Sequence, residues 1–138
     1  MRKRIPISEI MTKEVVTLNI NDDLVTAEKL FKKNKIRHIP VVENKEILGM
    51  LSYSDILRIS FADITDDEEN IDTFVYDMFT IKQVMAKNVF MVPPYASIKE
   101  VAELLAQKEF HALPVVEDYE LVGIVTTTDL IKYLVAQL

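Results

Sequence analysis

Two tetrapeptides in this 138-residue chain place a hydroxyl three residues before a carboxylate: Ser52-x-x-Asp55 and Thr126-x-x-Asp129. At a helix start that spacing forms a cap. The hydroxyl accepts a first-turn amide and the carboxylate reaches back, stabilising by about 1 kcal/mol. Each tetrapeptide also directly follows a glycine-led apolar stretch, Gly49-Met50-Leu51 and Gly123-Ile124-Val125, so a strand, a glycine and a helix start converge. Unpaired amides at a helix start attract phosphate. A carboxylate beside them suits the two hydroxyls of a ribose, while the Ser or Thr hydroxyl donates to phosphate. Cap and nucleotide site are both compatible with these residues.

Other chemistries find little support. His38 and His111 are the only histidines and there is no cysteine, so neither zinc-ligand spacing nor a thiol nucleophile is present. No nucleophile or oxyanion arrangement accompanies either histidine, which argues against a catalytic base and against an enzyme. The histidines read first as strand-edge residues. Tyr53, Tyr95 and Tyr119 could stack on a base but read as surface tyrosines. The run Thr65-Asp66-Asp67-Glu68-Glu69-Asn70 lacks the Asp-x-Asp-x-Asp-Gly spacing of a calcium loop, so no metal is expected.

The elements that must position these residues occur twice. Shifted by 74 residues, the chain lies on itself without a gap: Ile7–Met11 falls on Ile81–Met85, Ile39-Pro40-Val41-Val42-Glu43 on Leu113-Pro114-Val115-Val116-Glu117, and Gly49–Asp55 on Gly123–Asp129. Two copies are too few for a solenoid; they predict two like halves packed face to face. In each, a short apolar run, Val15–Leu18 or Val89–Val92, predicts a strand, and a helix follows. The second helix opens with the capping-box pattern Ser97-Ile98-Lys99-Glu100. Its apolar stripe is Ile98, Val101, Leu104 and Leu105, matched by Leu24, Ala27, Leu30 and Phe31. Two apolar runs around a polar turn then predict a hairpin, at 38–51 and 112–125, and a last helix follows the Ser/Thr-x-x-Asp pattern. The expected fold is α+β: two β-α-β-β-α repeats with pseudo-twofold symmetry, at residues 1–60 and 81–138, joined by a connector at 61–80.

Charge is concentrated in that connector. The net charge is −6, and seven acids with no Lys or Arg lie between Phe61 and Thr80. The repeats are therefore nearly neutral and offer no basic face for nucleic acid. No stretch approaches the ~20 apolar residues of a membrane span, and no signal-peptide pattern opens the chain, which fits a cytoplasmic protein. The first repeat's last helix is expected to extend into the connector. The acidic tip Asp66–Asn70, with no apolar residue to bury, is expected to be mobile and dispensable for folding.

Taken together, Ile10-Met11-Thr12-x-x-Val15, the Ile/Leu-Pro-Val-Val-Glu hairpin and Gly-x-x-Ser/Thr-x-x-Asp, each present in both halves, resemble a tandem pair of cystathionine β-synthase (CBS) domains, a Bateman module. The resemblance runs from about Ile7 to Leu57 and from Ile81 to Val135. It implies a stand-alone regulatory module that needs no cofactor. Such a module would bind AMP, ADP, ATP or S-adenosylmethionine as a regulatory ligand in clefts between the two repeats, and would signal to a partner protein of unknown identity. On this resemblance Asp55 and Asp129 would hold ribose hydroxyls, and Ser52 and Thr126 would contact phosphate. Ile39, Pro40, Leu113 and Pro114 would wall the base with Thr17 or Met91, while Arg37, His38 and His111 would supply phosphate ligands. Ala112 stands where the first repeat has His38, so the first site has the richer cationic lining. The resemblance also implies a homodimer, and the last helix, Asp129–Leu138, has more apolar positions than one buried face requires. The competing expectation is a ligand-independent dimerising scaffold in which Ser/Thr-x-x-Asp is only a cap.

Overall fold

The computed structural model describes residues 4–61, 78–108 and 110–138, with the side chains of 60 and 61 excepted. The acidic tip expected to be mobile, Asp66–Asn70, lies outside the described residues. The chain divides into two compact units: Val16–Asn88, and the N-terminal residues through Val15 together with Val89–Leu138.

The first unit contains β1 (Leu18–Asn19), α1 (Leu24–Asn34), β2 (His38–Glu43), β3 (Glu46–Ser52), α2 (Tyr53–Phe61) and α3 (Ile81–Val84). Asp23 caps α1, accepting the Thr26 amide at 2.8 Å. Hydrogen bonds from Thr26, side chain and backbone, hold its carboxyl below the ordinary aspartate value. The helix stops at Lys35, which takes the left-handed conformation, φ 52° and ψ 44°. β2 and β3 form an antiparallel hairpin closed by Asn44 and Lys45, both at positive φ, as a tight two-residue turn between right-twisted strands requires. Leu24, Ala27 and Phe31 turn inward from α1 onto Ile39, Val41 and Leu51.

The second unit contains α4 (Ile98–Gln107), β4 (Ala112–Glu117), β5 (Glu120–Thr126) and α5 (Thr127–Gln137). Its hairpin repeats the first in detail, with Asp118 and Tyr119 at positive φ and the register shift between Val115 and Val116 matching that between Val41 and Val42.

Three sequence expectations change. The strands expected at Val15–Leu18 and Val89–Val92 shrink to Leu18–Asn19 and to a single bridge from Val92 to Val115. Proline explains this. Val92 donates to Pro114 O and accepts from Val116 N, so the next ladder bond toward Phe90 would need an amide that Pro114 lacks. Pro40 imposes the same stop in the first unit. There Ile20 donates to Val42 O; Pro94 occupies the aligned position and has no N–H to give.

The second change concerns Ser97-x-x-Glu100. Ser97 Oγ accepts the Glu100 amide at 3.0 Å, but the Glu100 carboxylate pairs with Arg4. The cap is made and the expected reciprocal leg is replaced by an ion pair.

The third change is the partner of each repeat's opening segment. Residues 5–12, which open the first repeat, lie in the second unit. Ile7 is fully buried in its core, Ile98 N donates to Ile5 O at 2.9 Å, and Thr12 exchanges backbone bonds with Ile124 at 2.8 and 3.0 Å. Ile81, which opens the second repeat, is fully buried in the first unit's core, and Ala86 exchanges bonds with Met50 at 2.9 and 3.0 Å. The glycines of the repeated pattern make room for these segments. A Cβ on Gly123 would stand 2.5 Å from Met11 Sδ, and one on Gly49 would stand 2.5 Å from Met85 Sδ and 2.6 Å from Ala86 O. A thioether can move aside, but the Ala86 carbonyl belongs to the ladder, so Gly49 is the more constrained of the two.

Candidate functional site

Both Ser/Thr-x-x-Asp patterns fold as reciprocal caps. Ser52 N donates to Asp55 Oδ2 at 2.9 Å and Asp55 N to Ser52 Oγ at 3.1 Å. In the second unit Thr126 N donates to Asp129 Oδ2 at 2.9 Å and Asp129 N to Thr126 Oγ1 at 3.2 Å. Each cap uses one carboxylate oxygen and one lone pair of the hydroxyl. Oδ1 of each aspartate and the hydroxyl hydrogen of each Ser or Thr take no part in it.

The residue before each hairpin completes the helix start. Tyr53 N donates to Arg37 O at 2.8 Å and Thr127 N to His111 O at 3.0 Å. The first and third helical amides are thus committed in both repeats. This narrows the expectation of unpaired amides for phosphate to the second helical amide, that of Ser54 or Thr128, with side-chain donors around it. Arg37 and His111 adjoin those starts through their backbone, and their side chains are exposed.

Strand register sorts the remaining candidates. Ile39 is 0% and Leu113 1% exposed, both inside the hydrophobic cores, so their side chains lie among core residues and only their backbone is left for a ligand. His38 and Pro40 alternate with Ile39 and so share the opposite strand face, with Ser52 paired to His38; His38 is half-buried and Pro40 buried, as Pro114 is in the second unit. Thr17 is exposed and precedes Leu18, which pairs with Val41, so it stands level with Pro40. In the second unit Pro114 and Ala112 occupy the matching face, with Thr126 paired to Ala112, and the exposed Met91 precedes Val92. Each unit therefore gathers one half of the candidate set. Tyr53 packs edge-on against Phe31, centroids 5.5 Å apart, while Tyr95 and Tyr119 are exposed.

Several residues near these sets escaped the sequence reading. Beside Asp55 a cleft of about 270 Å³ is lined by Arg58, Ile59, Phe79, Gln83 and Val84. Arg58 Nη1 lies 3.6 Å from Asp55 Oδ1; its place one helical turn after Asp55 was the available signal. Next to His111, the Phe110 ring tilts against Phe90 at 5.3 Å, with Lys108 Nζ 5.4 Å from the Phe90 centroid. The first repeat has Val16 and Ile36 at those aligned positions, so the pattern alone marked them only as apolar. A further cleft of about 260 Å³, lined in part by Arg4, Pro93, Tyr95 and Leu104, holds none of the sequence-predicted site residues. Among the described residues no three metal-ligating side chains cluster, and no helix is long and apolar enough to cross a membrane.

Comparison with known proteins agrees with this architecture. The family model described as the CBS domain matches residues 7–62 and again 81–136. An uncharacterized protein of Methanocaldococcus jannaschii, MJ1225, is 31% identical over 130 residues, covering 94% of this chain and 42% of its own length. The chain thus spans less than half of that relative. The CBS domain-containing protein YhcV of Bacillus subtilis is 30% identical over 124 residues, covering 90% of this chain and 81% of its own length. Among solved structures, the CBS domain pair of protein MJ0100, in complex with 5′-methylthioadenosine and S-adenosyl-L-methionine, is similar at TM-score 0.82 and 24% identity, over 99% of this chain and 100% of that one. CBSX2 in complex with AMP is similar at TM-score 0.80 and 19% identity, over 96% and 98%. At these identities the two structures establish the fold. With its family model matched twice over most of its length, the chain belongs to the CBS domain family, as a pair of CBS domains.

Proposed function

We propose that this chain is a non-catalytic regulatory module that binds adenosine-type ligands, with Asp55 and Asp129 accepting ribose hydroxyls. The observation that carries the reading is the division of labour within each aspartate. Oδ2 closes the helix cap while Oδ1 stays outside it, at the same position in both repeats. Ser52 and Thr126 keep a hydroxyl hydrogen for phosphate. The exposed Thr17 and Met91, each level with or beside a buried proline, Pro40 or Pro114, offer the surface for a base. Arg37, His38 and His111 supply side-chain donors. The complexes of MJ0100 and CBSX2 carry ligands of this class. The halves at 1–60 and 81–138 would be the ligand-sensing elements, with the connector at 61–80 between them and an adenine nucleotide or S-adenosylmethionine as the signal, in a cytoplasmic setting.

The test is a thermal shift with AMP, ADP, ATP and S-adenosylmethionine. A ligand at ~100 times its dissociation constant adds about 2.7 kcal/mol to stability, so at least one should raise the melting temperature by several degrees. A flat response to all four would favour the ligand-independent scaffold.

One observation does favour an interaction role, alongside ligand binding. α5 turns Leu130 toward the core and leaves Ile131, Leu134 and Val135 more than half exposed on one face, with Leu138 beyond its end. In our reading a second copy of the chain covers this face and the module is a homodimer. Light scattering at tens of micromolar should then give about twice the 15.9 kDa chain mass; a value near 16 kDa would remove the claim.

A further inference from the structure

We propose that Arg58 makes the first repeat's site discriminate phosphorylated from unphosphorylated adenosine ligands, an inference that rests on the adenosine reading above. Asp55 Oδ2 is tied to Ser52 N, so a ribose must use Oδ1, and Arg58 stands 3.6 Å from that oxygen. The carboxylate side chain is 17% exposed and the Arg58 side chain 77%. The pair is therefore long and solvated on the Arg58 side, where the guanidinium can swing away.

A hydroxyl arriving at Oδ1 competes with the guanidinium, and the balance is set by the other groups on the ligand. A phosphate on the same ribose offers Arg58 a better partner than the carboxylate, since guanidinium binds phosphate through two parallel, charge-assisted N–H bonds. An unphosphorylated nucleoside offers nothing in exchange. The adjoining cleft has space and donors for such an anion. Gln83 Oε1 already accepts from Thr80 N at 2.9 Å, which leaves its NH2 group as a donor on the open cleft that Ile59, Phe79 and Val84 also line. The second repeat lacks the device. Lys132 occupies the position aligned with Arg58, and among the described residues no ion pair joins it to Asp129. Lysine is a point charge without the planar fork.

The experiment is titration calorimetry of the full chain with adenosine and AMP. It is run in an Asp129→Asn background, so that the first site dominates the heat, with and without Arg58→Ala and Arg58→Lys. Arg58→Ala should weaken AMP by roughly tenfold or more and leave adenosine unchanged or slightly tighter, collapsing the AMP-to-adenosine ratio. Arg58→Lys should restore part of that ratio. A ratio in Arg58→Ala equal to that of the parent overturns the role of Arg58 while leaving the adenosine site standing. No heat with either ligand in the unaltered chain overturns the adenosine reading, and this proposal with it. Arg58 is exposed, and an unchanged melting temperature without ligand confirms that the variants are folded.

Discussion

Ile81→Ala and Ile7→Ala are each expected to destabilise the chain by about 2–5 kcal/mol, the usual range for removing a fully buried isoleucine to alanine. The melting temperature should fall on the order of 10 °C. Both side chains are 0% exposed, and each fills a core made mostly by residues more than ten positions away. Ile7 packs with Val92, Val101 and Val125; Ile81 packs with Leu18, Leu24 and Ile39. The damage should therefore be local and crossed. In Ile7→Ala, native-state hydrogen exchange should quicken first in α4, and in Ile81→Ala first in α1. Loss of protection in α1 on changing Ile7 would mean that the opening segment packs on its own repeat. Lys13→Ala and Lys87→Ala, both at exposed positions, serve as controls and should stay within about 0.5 kcal/mol.

The second large effect concerns binding. Asp55→Asn and Asp129→Asn should each lower affinity for an adenosine ligand at their own site by roughly ten- to a hundredfold, because hydrogen bonds to a charged group contribute about 1.5–3 kcal/mol. The cap geometry explains why folding should tolerate the change. An asparagine can turn its carbonyl oxygen to the amide of Ser52 or Thr126 and keep that bond, placing NH2 where Oδ1 stood. A donor then faces the ribose hydroxyls where an acceptor is required. Stability without ligand should move by less than about 1 kcal/mol. Asp→Ala at the same positions should lose both the ligand and roughly 1 kcal/mol of cap. Calorimetry with AMP and ATP checks the affinities and thermal melts check the cap; unchanged affinity in both Asn variants would defeat the nucleotide-site reading.

Local physics was legible in the residues. The duplication, the hairpins around Asn44-Lys45 and Asp118-Tyr119, the inward stripe of α1 and the Ser/Thr-x-x-Asp helix starts all rest on interactions within a few residues, and all appear in the structure. The resemblance carried by those patterns led to the CBS family, which the comparisons establish. Alternation along the strands places Ile39 and Leu113 on the face opposite Pro40 and Pro114.

Tertiary structure decided the rest. Glu100 has the spacing to close a capping box, yet it pairs with Arg4, a partner 96 residues away that only the docked N-terminal segment delivers. Pro40 and Pro114 ended the first strand of each repeat by denying it an amide, which matters only once β1 and β2 are neighbours. The destination of the opening segments was the least legible feature. Ile7–Met11 and Ile81–Met85 carry the same pattern, and Gly49 and Gly123 offer the same gap in their strands. Nothing within either segment distinguishes its own hairpin from the other, so the pairing is a property of the whole folded chain rather than of any local pattern.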